Sequence, residues 1–133
     1  MGISPLGVMK KQFKLSANMT KLEKETLERA IVVLQESGWS KEFAARDRFG
    51  DEVSPDSPEA YSFCAYGAIL KSSLECTTAL SLLDQLSEFV RDTPAGSGYS
   101  PVTPLFRFND ITAKSKEEVI QLFVEFLKSE SVS

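Results

Sequence analysis

The stretch Ser57-Pro58-Glu59-Ala60-Tyr61-Ser62-Phe63-Cys64-Ala65-Tyr66-Gly67-Ala68-Ile69-Leu70 constrains the fold more than any other in the chain. It opens like a helix: Ser57 offers an N-cap hydroxyl and Pro58 suits the first helical position. It then stays apolar or small on nearly every side, and a helix without a polar face has to be buried. The spacing predicts a central helix over 58–71, with Ala60, Cys64, Gly67 and Ala68 forming a narrow strip that lets neighbours approach closely. Everything in the stretch is what a core requires, so it specifies architecture and no chemistry.

The flanking sequence supplies partners for that helix. Thr20-Lys21-Leu22-Glu23 is a capping-box pattern, and Leu27, Ala30, Ile31 and Leu34 share one face of the helix that follows it. Gly38 stands where a left-handed C-cap belongs, and Trp39 just beyond it is expected to fold back onto the core. The period changes from Ser40 to Pro55, which predicts a small β-hairpin near 44–54 with Gly50 at its tip. A further helix over 74–91 places Cys76, Ala79, Leu80, Leu83, Leu86 and Val90 on one stripe, making Cys76 a core residue. Thr93 to Pro104 holds Pro94, Gly96, Gly98, Pro101 and Pro104 and reads as a long loop. Leu105 to Phe108 reads as a short extended segment, Asn109-Asp110 as a turn, and Ser115-Lys116-Glu117-Glu118 as a second capping box opening a helix over 116–129. That last helix turns Val119, Leu122, Phe123 and Phe126 inward.

The expected fold class is therefore mainly α: a compact four-helix domain around a buried central helix, with a small β-hairpin. The expected organisation is an N-terminal tail over 1–18, one globular domain over 19–129 and a frayed end over 130–133. A chain of 133 residues can bury such a core without disulfide or metal support.

Composition removes several chemistries. Histidine is absent, which excludes Ser-His-Asp and Cys-His catalysis, His-ligated metals and histidine pH sensing. Two cysteines, Cys64 and Cys76, make neither a disulfide framework nor a four-cysteine zinc site, so no metal and no cofactor is expected. The net charge of −4 and scattered basic residues argue against nucleic acid, the tail cluster Lys10, Lys11 and Lys14 reading as a solvated arm. No apolar run approaches the roughly 20 residues that span a bilayer, and no signal segment opens the chain, so no membrane and a cytoplasmic location are expected.

The candidate site residues lie in turns. Cys64, in an apolar helix with no base to activate it, reads as core rather than nucleophile. Arg46-Asp47-Arg48 and Asn109-Asp110 both sit beside aromatics, and Arg46 or Arg48 could bridge to Asp110. Asx side chains tie down turns by accepting from nearby amides, so Asp110 is expected to accept from the backbone or pair with an arginine. If Arg46, Asp47, Asn109 and Asp110 converge, they would line a ligand pocket with the 93–104 loop as its lid. Gly96-Ser97-Gly98-Tyr99 lacks the Lys-Ser/Thr of a phosphate loop.

At Phe63-Cys64-Ala65-Tyr66-Gly67-Ala68 the chain resembles an uncharacterised family of small bacterial and bacteriophage proteins. Gly38-Trp39, Ala45-Arg46-Asp47 before Gly50, and Phe108-Asn109-Asp110 leading to Thr112 and Val119 fall in that family's order, over roughly Leu22 to Leu127. The family usually has Trp where this chain has Phe63 and Phe108. The resemblance implies a bacterial or phage origin and a cytoplasmic helical domain, and supplies no reaction and no site. The functional expectation is a non-enzymatic protein-binding or regulatory module with an unidentified protein partner. The alternative is a small-molecule binder or carboxylate-dependent enzyme with its pocket at Arg46, Asp47, Asn109 and Asp110.

Overall fold

The computed structural model describes residues 19–91 and 103–129. The expected tail over 1–18, the frayed end over 130–133 and most of the 93–104 loop lie outside them. Helix α1 spans Lys21–Glu36, and its capping box forms as read: Glu23 N–H donates to Thr20 Oγ1 and Thr20 N–H to Glu23 Oε1, each at 3.0 Å. Four two-residue strands follow, β1 at Gly38–Trp39, β2 at Ala45–Arg46, β3 at Glu52–Val53 and β4 at Ser62–Phe63. Helix α2 spans Ala65–Ser72, α3 Cys76–Arg91, α4 Pro104–Arg107, a π-helical turn Phe108–Thr112, and α5 Lys116–Ser129. The fold is mainly α, with a small sheet at one side.

The expected hairpin is present as β2 and β3, with Gly50 at φ +90° in its turn, and it belongs to a four-stranded sheet in the order β1-β4-β2-β3. β1 runs parallel to β4, pairing Gly38 with Ser62 and Trp39 with Phe63, and β2 runs antiparallel to β4. This sheet explains why the buried helix starts at 65 and not 58. Ser57 caps only a turn, its Oγ accepting from Glu59 N–H and its carbonyl from Ala60 N–H. Tyr61 N–H then donates to the Arg46 carbonyl at 2.8 Å and Cys64 N–H to the Ala44 carbonyl at 3.1 Å, so 61–64 is drawn out as a strand. Helix α2 is shorter than read but central, packing on α1, α3 and α4.

Three further expectations are corrected. Gly38 is not a left-handed cap: Ser37 caps α1 in an extended conformation and Gly38 enters the sheet, where a Cβ would come 3.1 Å from Ser62 Cβ. Cys76 and Leu80 are exposed, because the buried stripe of α3 is Thr78, Ala79, Leu82, Leu86, Ser87 and Val90. Cys76 and Leu80 face outward while the polar Thr78 and Ser87 go in beside Ala79. Finally, 105–108 is helical rather than extended, and Asn109-Asp110 lies in the π-helical turn, closed by Ala113 N–H donating to the Phe108 carbonyl at 2.8 Å. Helix α5 turns Val119, Phe123 and Phe126 inward as read, with Leu122 half-buried.

Candidate functional site

The wide turn of a π-helix carries one residue more than an α-helical turn, and such turns often sit at functional sites. Here it drives Phe108 and Asn109 inward together, leaving Asn109 only 1% exposed. A primary amide offers two donor hydrogens and one acceptor oxygen with two lone pairs. All four are used. Asn109 Oδ1 accepts from the Trp39 indole Nε1–H at 2.7 Å and from Ala65 N–H at 2.9 Å, the first amide of α2. Its Nδ2 donates to the Ser40 carbonyl at 3.1 Å and to Asp110 Oδ1 at 2.9 Å. One side chain thus joins the end of β1, the start of α2 and the π-helical turn. Lys41 Nζ lies over the Trp39 ring, 5.3 Å from its centre.

Asp110 accepts from the backbone, as expected: Glu42 N–H donates to its Oδ1 at 3.0 Å. Glu42 has φ +78°, a left-handed conformation costly to a residue with a Cβ. The bond to Asp110 holds it there. No arginine pairs with Asp110 among the described residues. Arg46 Nη1 donates to the Gly50 carbonyl at 2.8 Å and Nη2 to the Lys41 carbonyl at 3.0 Å, 3.7 Å from a Glu42 carboxylate oxygen. Its guanidinium lies 4.6 Å from the centre of the Phe43 ring. Arg48 is exposed on the hairpin turn. Asp47 closes that turn, its Oδ1 accepting from Phe49 N–H at 2.9 Å and Asp51 N–H at 3.0 Å.

The four predicted residues therefore form two groups. Asn109 and Asp110 lock one side of the 40–43 segment, Arg46 locks the other, and Asp47 works within the hairpin turn. Among the described residues, the lid assigned to 93–104 is represented only by Thr103 and Pro104, so its relation to these groups lies outside the structure.

Cys64 is the N-cap of α2, its sulfur accepting from Gly67 N–H at 3.2 Å. Burial pushes the thiol above its ordinary pKa and the nearby Asp110 carboxylate adds to the rise, against the Gly67 amide that lowers it. The half-buried Cys64 thus caps α2, and a thiol whose pKa is raised is the weaker nucleophile. Opposite it, continuing the pairing of β1 with β4, stands Ser40, whose buried Oγ has no hydrogen-bond partner among the described residues. No cluster of three or more Cys, Asp or Glu able to hold a metal occurs among them either. Helices of the described residues are all too short or too polar to cross a membrane.

Sequence reasoning missed the acidic network under α1. Glu23, besides its capping role, accepts from Ser81 Oγ–H at 2.6 Å and Gln85 Nε2–H at 3.0 Å. Burial opposes its ionisation, but the bonds from Ser81, Thr20 and Gln85 together outweigh that and hold its carboxyl below the usual range. The capping box was visible locally, whereas its partners lie 58 and 62 residues away.

The same residues that build this junction lie within a match to a protein-family model. Residues 19–126 match a family of unknown function (DUF6197), a span that includes every element from α1 to most of α5. The chain belongs to this family. No curated protein and no solved structure matches it significantly. Family membership thus accompanies the Trp39–Asn109–Ala65 junction without assigning it an activity.

Proposed function

We propose that this DUF6197 protein is a protein-binding module that presents its hairpin to a partner. The observation that carries the reading is Phe49, 82% exposed on a turn that its own polar groups have locked. Asp47 accepts from the amides on both sides of Gly50, and Arg46 ties the Gly50 carbonyl to the segment behind it. An aromatic held out into water on a pinned loop gains nothing for the fold and is the type of residue that anchors interfaces. Tyr61, 58% exposed, precedes β4 at the same end of the sheet. The amide and carboxylate of Asn109 and Asp110, by contrast, are engaged with the protein, which favours binding through the hairpin over a pocket at those residues. In this reading the module acts without chemistry of its own, in the cytoplasm of a bacterium or a phage-infected cell.

The test is capture from the host with the intact chain and with Phe49→Ser, followed by reconstitution with the purified partner. The expected result is a partner bound by the native chain and released by the variant. A small molecule among nucleotides, amino acids and sugar phosphates that adds roughly 2.7 kcal/mol of stability at about a hundred times its Kd, with no protein retained, would overturn the reading. It would replace it with the ligand pocket at Arg46, Asp47, Asn109 and Asp110.

A further inference from the structure

We infer that Phe49 and Tyr61 anchor a basic, apolar-bearing segment of the partner protein. The inference rests on the protein-binding reading and adds the partner's chemistry. Arg46 stands opposite both Glu52 and Ser62 in the sheet, so the hairpin turn carrying Phe49 and the residue preceding Ser62, Tyr61, leave the sheet at the same end. Two large rings exposed together on a locked platform supply contact area at little entropic cost.

The charge of the segment that carries the rings selects the occupant. Asp51, Glu52, Asp56 and Glu59 are exposed, and none makes an ion pair among the described residues. Arg46 offsets this charge only in part, since its guanidinium is held on the Gly50 and Lys41 carbonyls with a Glu42 carboxylate oxygen 3.7 Å away. Over 41–61 the carboxylates of Glu42, Asp47, Asp51, Glu52, Asp56 and Glu59 outnumber the cations of Lys41, Arg46 and Arg48 by six to three. Such a field attracts lysine and arginine and speeds their encounter, while it repels the phosphates of a nucleic acid. The carboxylates do not converge into a metal-holding cluster, so the complementary charge is one spread along a chain. A basic segment with apolar side chains meets both requirements: its cations face the acidic rim and its apolar groups cover the rings.

The experiment titrates the isotope-labelled full chain with two short synthetic peptides and follows backbone amide shifts. One alternates Lys and Arg with Leu and Trp; the other carries Glu at each basic position. The basic peptide is expected to shift amides within 47–61 and to weaken as salt rises. Its affinity should fall about tenfold or more in the quadruple variant Asp51→Asn, Glu52→Gln, Asp56→Asn, Glu59→Gln, and again in Phe49→Ser. No response to the basic peptide, equal binding of the acidic one, or shifts confined elsewhere overturns the inference. A purified partner held by the quadruple variant but released by Phe49→Ser would sink the basic segment and leave the protein-binding reading standing. A partner held equally by both variants would sink the two together.

Discussion

The Asn109 junction and the hairpin tip use similar residue types for opposite ends. At the junction, an amide, a carboxylate and an indole are turned on one another, and Asn109 spends all four of its hydrogen-bonding positions inside the protein. At the tip, Asp47 and Arg46 are likewise spent on backbone groups, yet what they stabilise is a platform that leaves Phe49 and Tyr61 in water. Polar side chains at a turn therefore do not mark a site by themselves. What separates the regions is whether the locked groups bury their surroundings or expose them.

The comparison is tested most severely behind the junction, at Gly67. A Cβ there would overlap the Ala44 carbonyl, and that carbonyl cannot retreat freely because it accepts from Cys64 N–H. Gly67→Ala should therefore cost at or above the upper end of the ~1–3 kcal/mol typical of overpacking. Chemical denaturation of the variant measures it, and a loss below about 1 kcal/mol would show that the strand and α2 are less tightly joined than the structure places them. Asn109→Ala follows in size. It strands the Trp39 indole N–H, the Ala65 amide and the Ser40 carbonyl, groups that cost about 1–3 kcal/mol each when left unpaired, so a loss of about 3 kcal/mol or more is expected. Trp39→Phe should cost less, since it removes a donor and its partner retains the Ala65 amide. Equal losses from both changes would argue that the indole bond carries nearly all of Asn109's contribution and the Ala65 and Ser40 bonds little.

Which of these features the sequence shows depends on how far apart the partners lie. Thr20 and Glu23 are three residues apart and Gly50 sits within its own turn, so capping box and hairpin are legible from local rules. Ser57-Pro58-Glu59 obeys equally good local rules for a helix start and is overruled, because Ala44, Arg46 and the β1 strand pair with 61–64 from a distance. The α3 stripe is misphased for a related reason: Thr78 and Ser87 are buried polar residues, and an apolar count gives them no weight. Asn109 is visible as a turn residue and Trp39 as an aromatic needing a partner. Their meeting, 70 residues apart in sequence, follows only from the fold.

A middle-sized effect, read by pH, lies in a third locked group, the Glu23 network of Thr20, Ser81 and Gln85. Glu23 is ionised and hydrogen-bonded in the folded state, with its pKa below the ordinary 4.5. A depressed folded-state pKa contributes stability above the unfolded value that is lost as pH falls through the folded one. Glu23→Gln should thus destabilise by on the order of 1 kcal/mol near neutral pH, and the gap from the native chain should close as pH drops below 4.5. Thermal unfolding of both proteins across that range is the measurement; a gap that stays constant would mean the charge contributes nothing beyond shape. Asp110→Asn comes next, with a loss of about 1 kcal/mol. An asparagine oxygen can still accept from Glu42 N–H, so fold and partner binding should both survive. Loss of binding with the fold intact would move Asp110 from the junction to the interface.

The smallest expected change in stability is at the tip, and it is the one that decides what the contrast means. Phe49 is 82% exposed and makes no ring contact with another aromatic among the described residues, so Phe49→Ser should leave the unfolding free energy within about 0.5 kcal/mol. The turn itself is held by Asp47 and Arg46, neither of which the substitution touches. Removing an exposed ring can even raise stability slightly if it clusters in the unfolded chain. Binding should respond in the opposite sense, losing the contact area that a buried aromatic anchor supplies to an interface. A stability loss comparable to that of Asn109→Ala would show that Phe49 is part of the fold. The hairpin would then be a second junction, and the distinction between a region that encloses and a region that presents would disappear.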